Sequence, residues 1–426
     1  MASQVTTYRC PACDGPLRFD GAKGRLVCDY CESTFTVEEV EKFYEEKNRK
    51  AAEAFRKEQE KQAAAQQAAS QSGTTAYDPA AGQQSNVPES DVGPHVNHAT
   101  AAGAAAGMAG AAGQAASTGD GWDASTAGSD WGAEAQQLKT YNCTSCGAQL
   151  VTDTSTAATS CPYCGNPTII PGQFSGMLKP DYVIPFKLDK KAAVQALSEH
   201  YKGKKLLPRE FKDQNHIEEI KGVYVPFWLF DSTVIADVQL EATTSTSTRT
   251  RNEEIVTTNH YDIRRSGSMN FNGLPVDAST KMPDDYMDSL EPYDYGELKE
   301  FNFAYLPGFL ADKYDVSVEE SAPRAEERMK NTTAQTVRDS VRGYQTVNIT
   351  HADYEINRGN VKYALMPVWL LSTRWNGQNY LFAMNGQNGK MVGDLPVSSS
   401  EYWKLFLKTF LPMAAVLLVL LLGVLR

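Results

Sequence analysis

The chain has 426 residues, enough for two or three domains, and carries 41 Lys plus Arg against 52 Asp plus Glu, a formal net charge of −11. That acidic balance argues against a general nucleic-acid coat, which needs a basic face to neutralise phosphates. All eight cysteines fall in four Cys-x-x-Cys pairs, so none is left over as a free nucleophile.

The opening stretch, Met1 to Arg9, has no apolar run and does not read as a signal peptide. Cys10-Pro-Ala-Cys13 and Cys28-Asp-Tyr-Cys31 follow, with fourteen residues between the pairs. Two Cys-x-x-Cys turns at this separation can bring four thiolates to the corners of one tetrahedron, as a structural zinc site requires. Residues 1–36 are therefore expected to form a zinc ribbon. A unit of roughly 30 residues buries too little apolar surface to fold alone, so metal binding has to supply the missing free energy.

From Val37 to about Ser70 the pairs Glu38/Lys42, Glu45/Arg49, Glu46/Lys50 and Glu53/Lys57 have the favourable i, i+4 order. This predicts a helix over 37–70. A solvated spacer and a coiled coil are the two readings, and the apolar residues do not sustain a heptad seam. Residues 71–135 turn to Ala, Gly, Ser and Gln, a composition that predicts a disordered linker. His95 and His98 within it read as solvated, with a weak metal contact as the alternative.

At Cys143-Thr-Ser-Cys146 and Cys161-Pro-Tyr-Cys164 the ribbon pattern returns with the same fourteen-residue gap. An offset of 133 residues relates all four cysteines to the first set, and also relates Leu17 to Leu150 and Tyr30 to Tyr163. Residues 139–171 are thus expected to be a second ribbon. Its leucine fills a small core beneath the metal. The eight ligands, Cys10, Cys13, Cys28, Cys31, Cys143, Cys146, Cys161 and Cys164, would hold two zinc ions in a reducing compartment. Disulfides and a rubredoxin-like iron site are the other uses of such cysteines, and the gap fits a ribbon better. Each ribbon is close to charge-neutral, and Tyr30, Phe35, Tyr163 and Ile169 offer apolar surface suited to protein contact.

The span 178–398 reads as an α+β body. Asp189 is placed to cap a helix whose Ala192, Ala193, Ala196 and Leu197 share one side. Lys202, Lys204, Lys205 and Arg209 then form a basic cluster, read as a solvated helix end, with anionic lipid or nucleic acid as alternative contacts. Val223 to Phe230 reads as a buried strand that continues to Thr248. Its Pro-x-Trp-Leu phrase recurs at Pro367, Trp369 and Leu370 with an offset of 141, suggesting two similar sheet units. Ser321 to Gly343 looks helical, and Asn385-Gly-Gln-Asn-Gly389 is a hairpin signal. The tryptophans read as core, with a ligand groove as the alternative.

Leu405 to Leu425 is a 21-residue apolar run, long enough at about 1.5 Å per residue to cross a hydrocarbon core. A C-terminal transmembrane tail anchor over 405–425 is expected. Lys404 precedes it, Lys408 interrupts it near its start and Arg426 follows, a bias that is expected to place the body in the cytoplasm, the side that reduced thiolates also require.

No nucleotide-binding Gly-x-x-x-x-Gly-Lys loop, His-Glu-x-x-His, Gly-x-Ser-x-Gly or dinucleotide fingerprint is present. Neither nucleotide binding nor an enzyme is expected. The body histidines are scattered, and Asp284, Asp285 and Asp288 read as a solvated turn rather than a carboxylate site.

At Cys161-Pro-Tyr-Cys-Gly-Asn-Pro-Thr168 and Gly222-Val-Tyr-Val-Pro-Phe-Trp-Leu-Phe-Asp231 the chain resembles a bacterial family described as transcription-factor-IIB-type zinc-ribbon proteins. The resemblance covers about Tyr141 to the C-terminus. Members are often labelled as replication factor Y, a primosomal helicase, but this sequence lacks the ATP-binding loop. Some relatives resemble membrane proteins of phage-shock-type operons, which implies PspA-like or SPFH-type protein partners. The expectation is a membrane-anchored zinc-ribbon adaptor that binds proteins on the cytoplasmic face. A nucleic-acid-binding accessory factor without helicase activity is the alternative.

Overall fold

A computed structural model of the chain describes residues 9–47, 121–153, 160–166, 169–172, 177–208, 219–250 and 253–424, with isolated positions between them. The chain divides into two units, one of Met1–Tyr44 with Ser117–Arg426 and one of Glu45–Ala116. In the second, the described residues, Glu45 to Lys47, Arg49, Lys50, Glu53, Arg56 and Lys57, are helical, and Glu46 pairs with Lys50 at 2.7 Å. Most of the remaining spacer, residues 71–120 of the linker expected over 71–135, and His95 and His98 lie outside the described residues, whereas residues 121–135 of that linker are packed against the body, with Ala127 and Trp131 buried and Trp131 edge-on to Phe301, because these apolar side chains find a place in its core.

The first unit opens with three short antiparallel strands, β1 (Leu17–Asp20), β2 (Arg25–Cys28) and β3 (Thr34–Phe35). Helix α1 follows over 37–47. It starts in a capping box: Thr36 Oγ1 accepts from the Glu39 amide at 3.1 Å, and Glu39 Oε2 accepts from the Thr36 amide at 2.7 Å. Val37, Val40 and Tyr44 sit at helical spacing and are buried.

Strands β4 (Leu138–Cys143), β5 (Gln149–Asp153), β6 (Ile169–Gly172) and β7 (Tyr182–Val183) lead to helix α2 (Lys190–His200). Asp189 caps α2 as expected, its Oδ1 accepting from the Ala192 amide at 2.8 Å, and Ala193 and Leu197 are buried. Then come β8 (Lys221–Arg249), β9 (Glu254–Asp277), helix α3 (Asp284–Leu290), β10 (Lys299–Glu300), β11 (Leu310–Asp312) and helix α4 (Val318–Ser340). The chain ends with β12 (Thr346–Trp375), β13 (Gln378–Asn385), β14 (Met391–Gly393) and helix α5 (Ser399–Val424).

The body is α+β and rich in strand. Its spine is the antiparallel pairing of β8 with β12, from Thr243 opposite Thr346 to Lys221 opposite Leu370. The two Pro-x-Trp-Leu phrases therefore face each other across one ladder: Pro226 opposes Leu365, and Tyr224 opposes Pro367. The matches repeat in detail. Each proline carbonyl accepts one outside amide, Ala278 N on Pro226 at 2.9 Å and Gly386 N on Pro367 at 2.8 Å. Each buried indole donates to a backbone carbonyl at 3.0 Å, Trp228 to Val316 and Trp369 to Leu188. Instead of two sheet units there is one, with its like segments paired. The hairpin joining β13 and β14 is present, with Met384 opposite Met391.

Along β8, Val234, Ala236, Val238, Leu240 and Ala242 are buried, the period-2 pattern of a sheet covered on one face. Helix α4 supplies the cover with Val318, Ala325 and Met329. Arg324 on α4 ties it to the sheet by pairing with the buried Asp277, with Asp284 at 3.1 Å and with Asp288 at 2.7 Å. The turn expected at Asp284, Asp285 and Asp288 is thus a short helix, and two of its carboxylates, Asp284 and Asp288, are bound to an arginine.

Neither ribbon stands apart from the body. Ala311 of β11 pairs with Val151 on one side and Tyr224 on the other, so β5 and β4 continue the body sheet. On the first ribbon, the Phe19 amide donates to Pro307 O at 3.1 Å, and the Phe19 ring meets Tyr305 edge-on at 5.2 Å. A side chain at Gly21 would lie 2.1 Å from Phe186 O, so this approach needs a glycine. An independently folding first ribbon, searching space on a linker, is therefore not what the structure contains. Buried Leu17, Phe19 and Leu26 are part of the body's own core.

Among the described residues no helix is long and apolar enough to cross a membrane. The expected span over 405–425 begins inside α5, whose described side chains end at Leu418 and include Glu401, Lys404 and Lys408. Residues 419–425 of that span lie beyond the described side chains. Within the described part, Trp403, Leu407, Leu411, Met413 and Val416 are all exposed.

Candidate metal centres

Each of the four Cys-x-x-Cys turns is built the same way. The amide of its first cysteine donates to the carbonyl five residues ahead: Cys10 to Gly15 O, Cys28 to Ser33 O, Cys143 to Ala148 O and Cys161 to Asn166 O, all at 2.8–3.0 Å. The carbonyl of the same cysteine accepts from the amide four residues on, in Asp14, Glu32, Gly147 and Gly165. That fourth residue is left-handed in every case, with φ of 60°, 58°, 72° and 67°. The second ribbon meets this demand with glycine. The first uses Asp14 and Glu32, which adopt that region at a cost.

These turns gather all eight cysteines into two groups of four, Cys10/Cys13/Cys28/Cys31 and Cys143/Cys146/Cys161/Cys164, with every sulfur in a group within 4.8 Å of the others. The nearest cross-turn separations are 3.6 Å for Cys10–Cys31, 3.4 Å for Cys13–Cys28, and 3.6 Å for both Cys143–Cys164 and Cys146–Cys161. A disulfide needs about 2.05 Å. Four sulfurs around one zinc at about 2.3 Å stand about 3.8 Å apart, close to the spacing found. The donor set thus fits a tetrahedral metal of the zinc type, with both sites able to hold one ion each.

The surroundings favour thiolate. Backbone amides approach the sulfurs, as Ala12 N does Cys10 at 3.4 Å. Cys31 is pulled down to about 6 by the Ser33 hydroxyl and amide. Burial pushes Cys143 up, but the amides of Cys146 and Ser145 bring it down to about 7. Cys13 is drawn down by the Gly15 amide yet pushed up to about 12 by the sulfurs of Cys31 and Cys28. Burial pushes Cys146 up to about 11. One thiolate per group forms readily and the next ones are opposed, which is the state a divalent cation would relieve.

Beneath each group a leucine is buried, Leu17 and Leu150, as the repeat predicts. The two exposed faces differ. Tyr30 stands 78% exposed beside the first group, whereas its counterpart Tyr163 is buried. Tyr163 Oη donates to Asp312 Oδ2 at 2.8 Å, and Ser279 Oγ donates to the same oxygen at 2.6 Å. Tyr163 is therefore unavailable to a partner, contrary to the sequence reading, because the second ribbon is fused into the body there. Asp312 had no sequence signal to mark it. Its role follows from β11 lying next to β5.

The remaining candidates stay apart. Lys202 pairs with Glu199 at 2.5 Å as a solvated helix end would, and Arg209 lies outside the described residues. His200, His260 and His351 are scattered, contacting Gly393 O, Glu241 and Asp353 respectively. His216 lies outside the described residues.

A curated protein of Bacillus subtilis strain 168, described as the uncharacterized protein YdjG, is 39% identical to this chain over 235 residues. The match covers 55% of this chain and 68% of that protein. No family model and no solved structure matches the chain.

Proposed function

The chain belongs to the same family as YdjG of Bacillus subtilis, and from its two cysteine groups we propose that it is a non-enzymatic adaptor that carries two zinc ions and binds protein partners at the cytoplasmic face of a membrane. The observation that carries the reading is the closed donor set. All four positions around each candidate metal are cysteine sulfurs, leaving none for substrate or activated water, as in structural rather than catalytic zinc sites. The first ribbon then presents Tyr30 as partner-binding surface. Membrane tethering rests on α5, which exposes large apolar side chains on all sides of its described part and so favours a non-aqueous surrounding. The span 405–425 acts as the anchor, and the resemblance to phage-shock-type proteins suggests PspA-like or SPFH-type partners.

Purified protein should contain two equivalents of zinc by elemental analysis, with all eight thiols unavailable to alkylation until chelator is added. Removing residues 405–426 should release the protein from membranes washed in high salt. Partners recovered from detergent extracts should survive nuclease treatment and be lost on Tyr30→Ala. Loss of every partner on nuclease treatment would instead favour the nucleic-acid accessory factor.

A further inference from the structure

Away from the ribbons, β8 runs on between β9 and β12 as the middle strand of a long blade. β9 pairs with β8 alone, so among the described residues its other edge meets no strand. From Glu254 to Asp262 every one of its side chains is exposed. Long open edges invite pairing with another chain, and proteins blunt them with proline, lysine or a bulge. The outer edge of β12 has such a device: Thr350 is an extra residue between Ile349, opposite Leu240, and His351, opposite Gln239. β9 has none. Its register with β8 is unbroken from Glu254 opposite Arg249 to Phe271 opposite Ser232, and residues 254–266 contain neither proline nor lysine.

The charges on this edge say which chain fits it. Glu253 and Glu254 stand at its start, and Arg264 and Arg265 near its exposed end. We propose that β9 pairs with β9 of a second copy, antiparallel, about a twofold axis at Asn259. Such an axis, normal to the sheet, keeps each side chain on its own face, and every contact occurs twice. Centred on Asn259, the register sets Glu254 opposite Arg264 on one face and Glu253 opposite Arg265 on the other. Between them Ile255 meets Ile263, and Thr257 meets Tyr261. Moving the axis by one residue sets Glu254 against Asp262, or Arg264 against Val256 and Arg265 against Ile255, so the charges select one register. The present contacts leave room for the new ones. Arg264 binds Asp237 through Nε and Nη2, which leaves Nη1 for a second carboxylate. Glu254 Oε1 accepts from the Ser247 hydroxyl at 2.6 Å, which leaves Oε2. Arg265 Nη1 donates to Arg264 O at 3.2 Å and keeps its other donors. Pairing joins the two blades into one continuous sheet, by the same backbone bonding that adds a peptide strand to a sheet edge.

Sedimentation of the full zinc-loaded chain in detergent tests this. At about 100 μM, where even a weak interface is occupied, the particle should hold the protein mass of two copies. Combining Glu253→Arg with Glu254→Arg opposes arginine to arginine on both faces, and combining Arg264→Glu with Arg265→Glu opposes glutamate to glutamate. Each double variant should weaken self-association about a hundredfold or more and sediment as a monomer. Mixed in equal amounts, the two variants again set opposite charges across the ladder and should recover the dimer. Zinc content reports that each variant is folded. A parent that is monomeric at this concentration overturns the proposal, as does a mixture that stays monomeric. Double variants that remain dimeric on their own overturn it too, because the copies are then held through α5 or another surface.

Discussion

Asp312→Asn should stabilise the protein progressively as the pH is raised from 5.5 to 8. Asp312 is buried on β11 and accepts from Tyr163 and Ser279 through Oδ2, while Oδ1 meets no donor. Burial pushes its acid up from 3.8 to about 7, against the hydrogen bonds from Ser279 and Tyr163 that pull it down. Between those values the native protein holds a proton that the unfolded chain has released. The associated stability is fully present below pH 3.8 and is lost as the pH rises through about 7. A rise of this size corresponds to roughly 4 kcal/mol in all, of which roughly 2 kcal/mol disappears between pH 5.5 and 8. An asparagine oxygen can accept both hydrogen bonds and has no proton to lose. Urea denaturation of the zinc-loaded parent and variant should thus show the variant gaining roughly 2 kcal/mol relative to the parent across that window. A difference that stays flat with pH would refute the assignment of this charge to Asp312.

At the turns, Gly147→Ala should cost about 1 kcal/mol through its left-handed backbone alone, since nothing lies within 4 Å of the added carbon. Glu32→Gly should move the first ribbon the other way by about 0.5–1 kcal/mol, read as retention of zinc at lower free-metal concentration. Arg324→Ala leaves the buried Asp277 carboxylate unpaired and should cost about 3 kcal/mol at pH 7.5. The loss should shrink at pH 5.5, because burial already pushes Asp277 up to about 6 and without its arginine it takes a proton more readily. Cys161→Ser should lower the melting temperature of the whole body, not only of the second ribbon, because β5 and β11 share a ladder. Independent unfolding of that ribbon in calorimetry would contradict this continuity.

What the sequence makes legible here is local. The knuckle spacing marks all eight cysteines of the two groups, Asp189 marks the start of a helix, and Asn385 to Gly389 marks a hairpin, because each signal is contained in a few adjacent residues. The joining of the parts was not legible. Leu310–Asp312 is three residues with no periodicity to read, yet it connects a ribbon to the body sheet. Tyr30 and Tyr163 are equivalent in the repeat, and only the neighbour that β11 brings to Tyr163 makes one exposed and the other buried. Phe19 likewise gives no sign of its partner Tyr305, which is far along the chain. In both cases the deciding energy is tertiary burial, which spacing does not encode.

The ladder between β8 and β12 also sets an order in time. β8 and β9 are only four residues apart in the sequence and can pair as soon as they leave the ribosome. β12 begins at Thr346, and at roughly 5–20 residues per second it follows several seconds later. During that interval the edge of β8 that carries Val223, Val225 and Phe227 has its hydrogen-bonding groups unpaired, next to apolar side chains that are fully buried once folding is complete. Nascent chains stalled before Thr346 are therefore the stage at which this protein is most exposed to aggregation, and at which a chaperone would have most to hold.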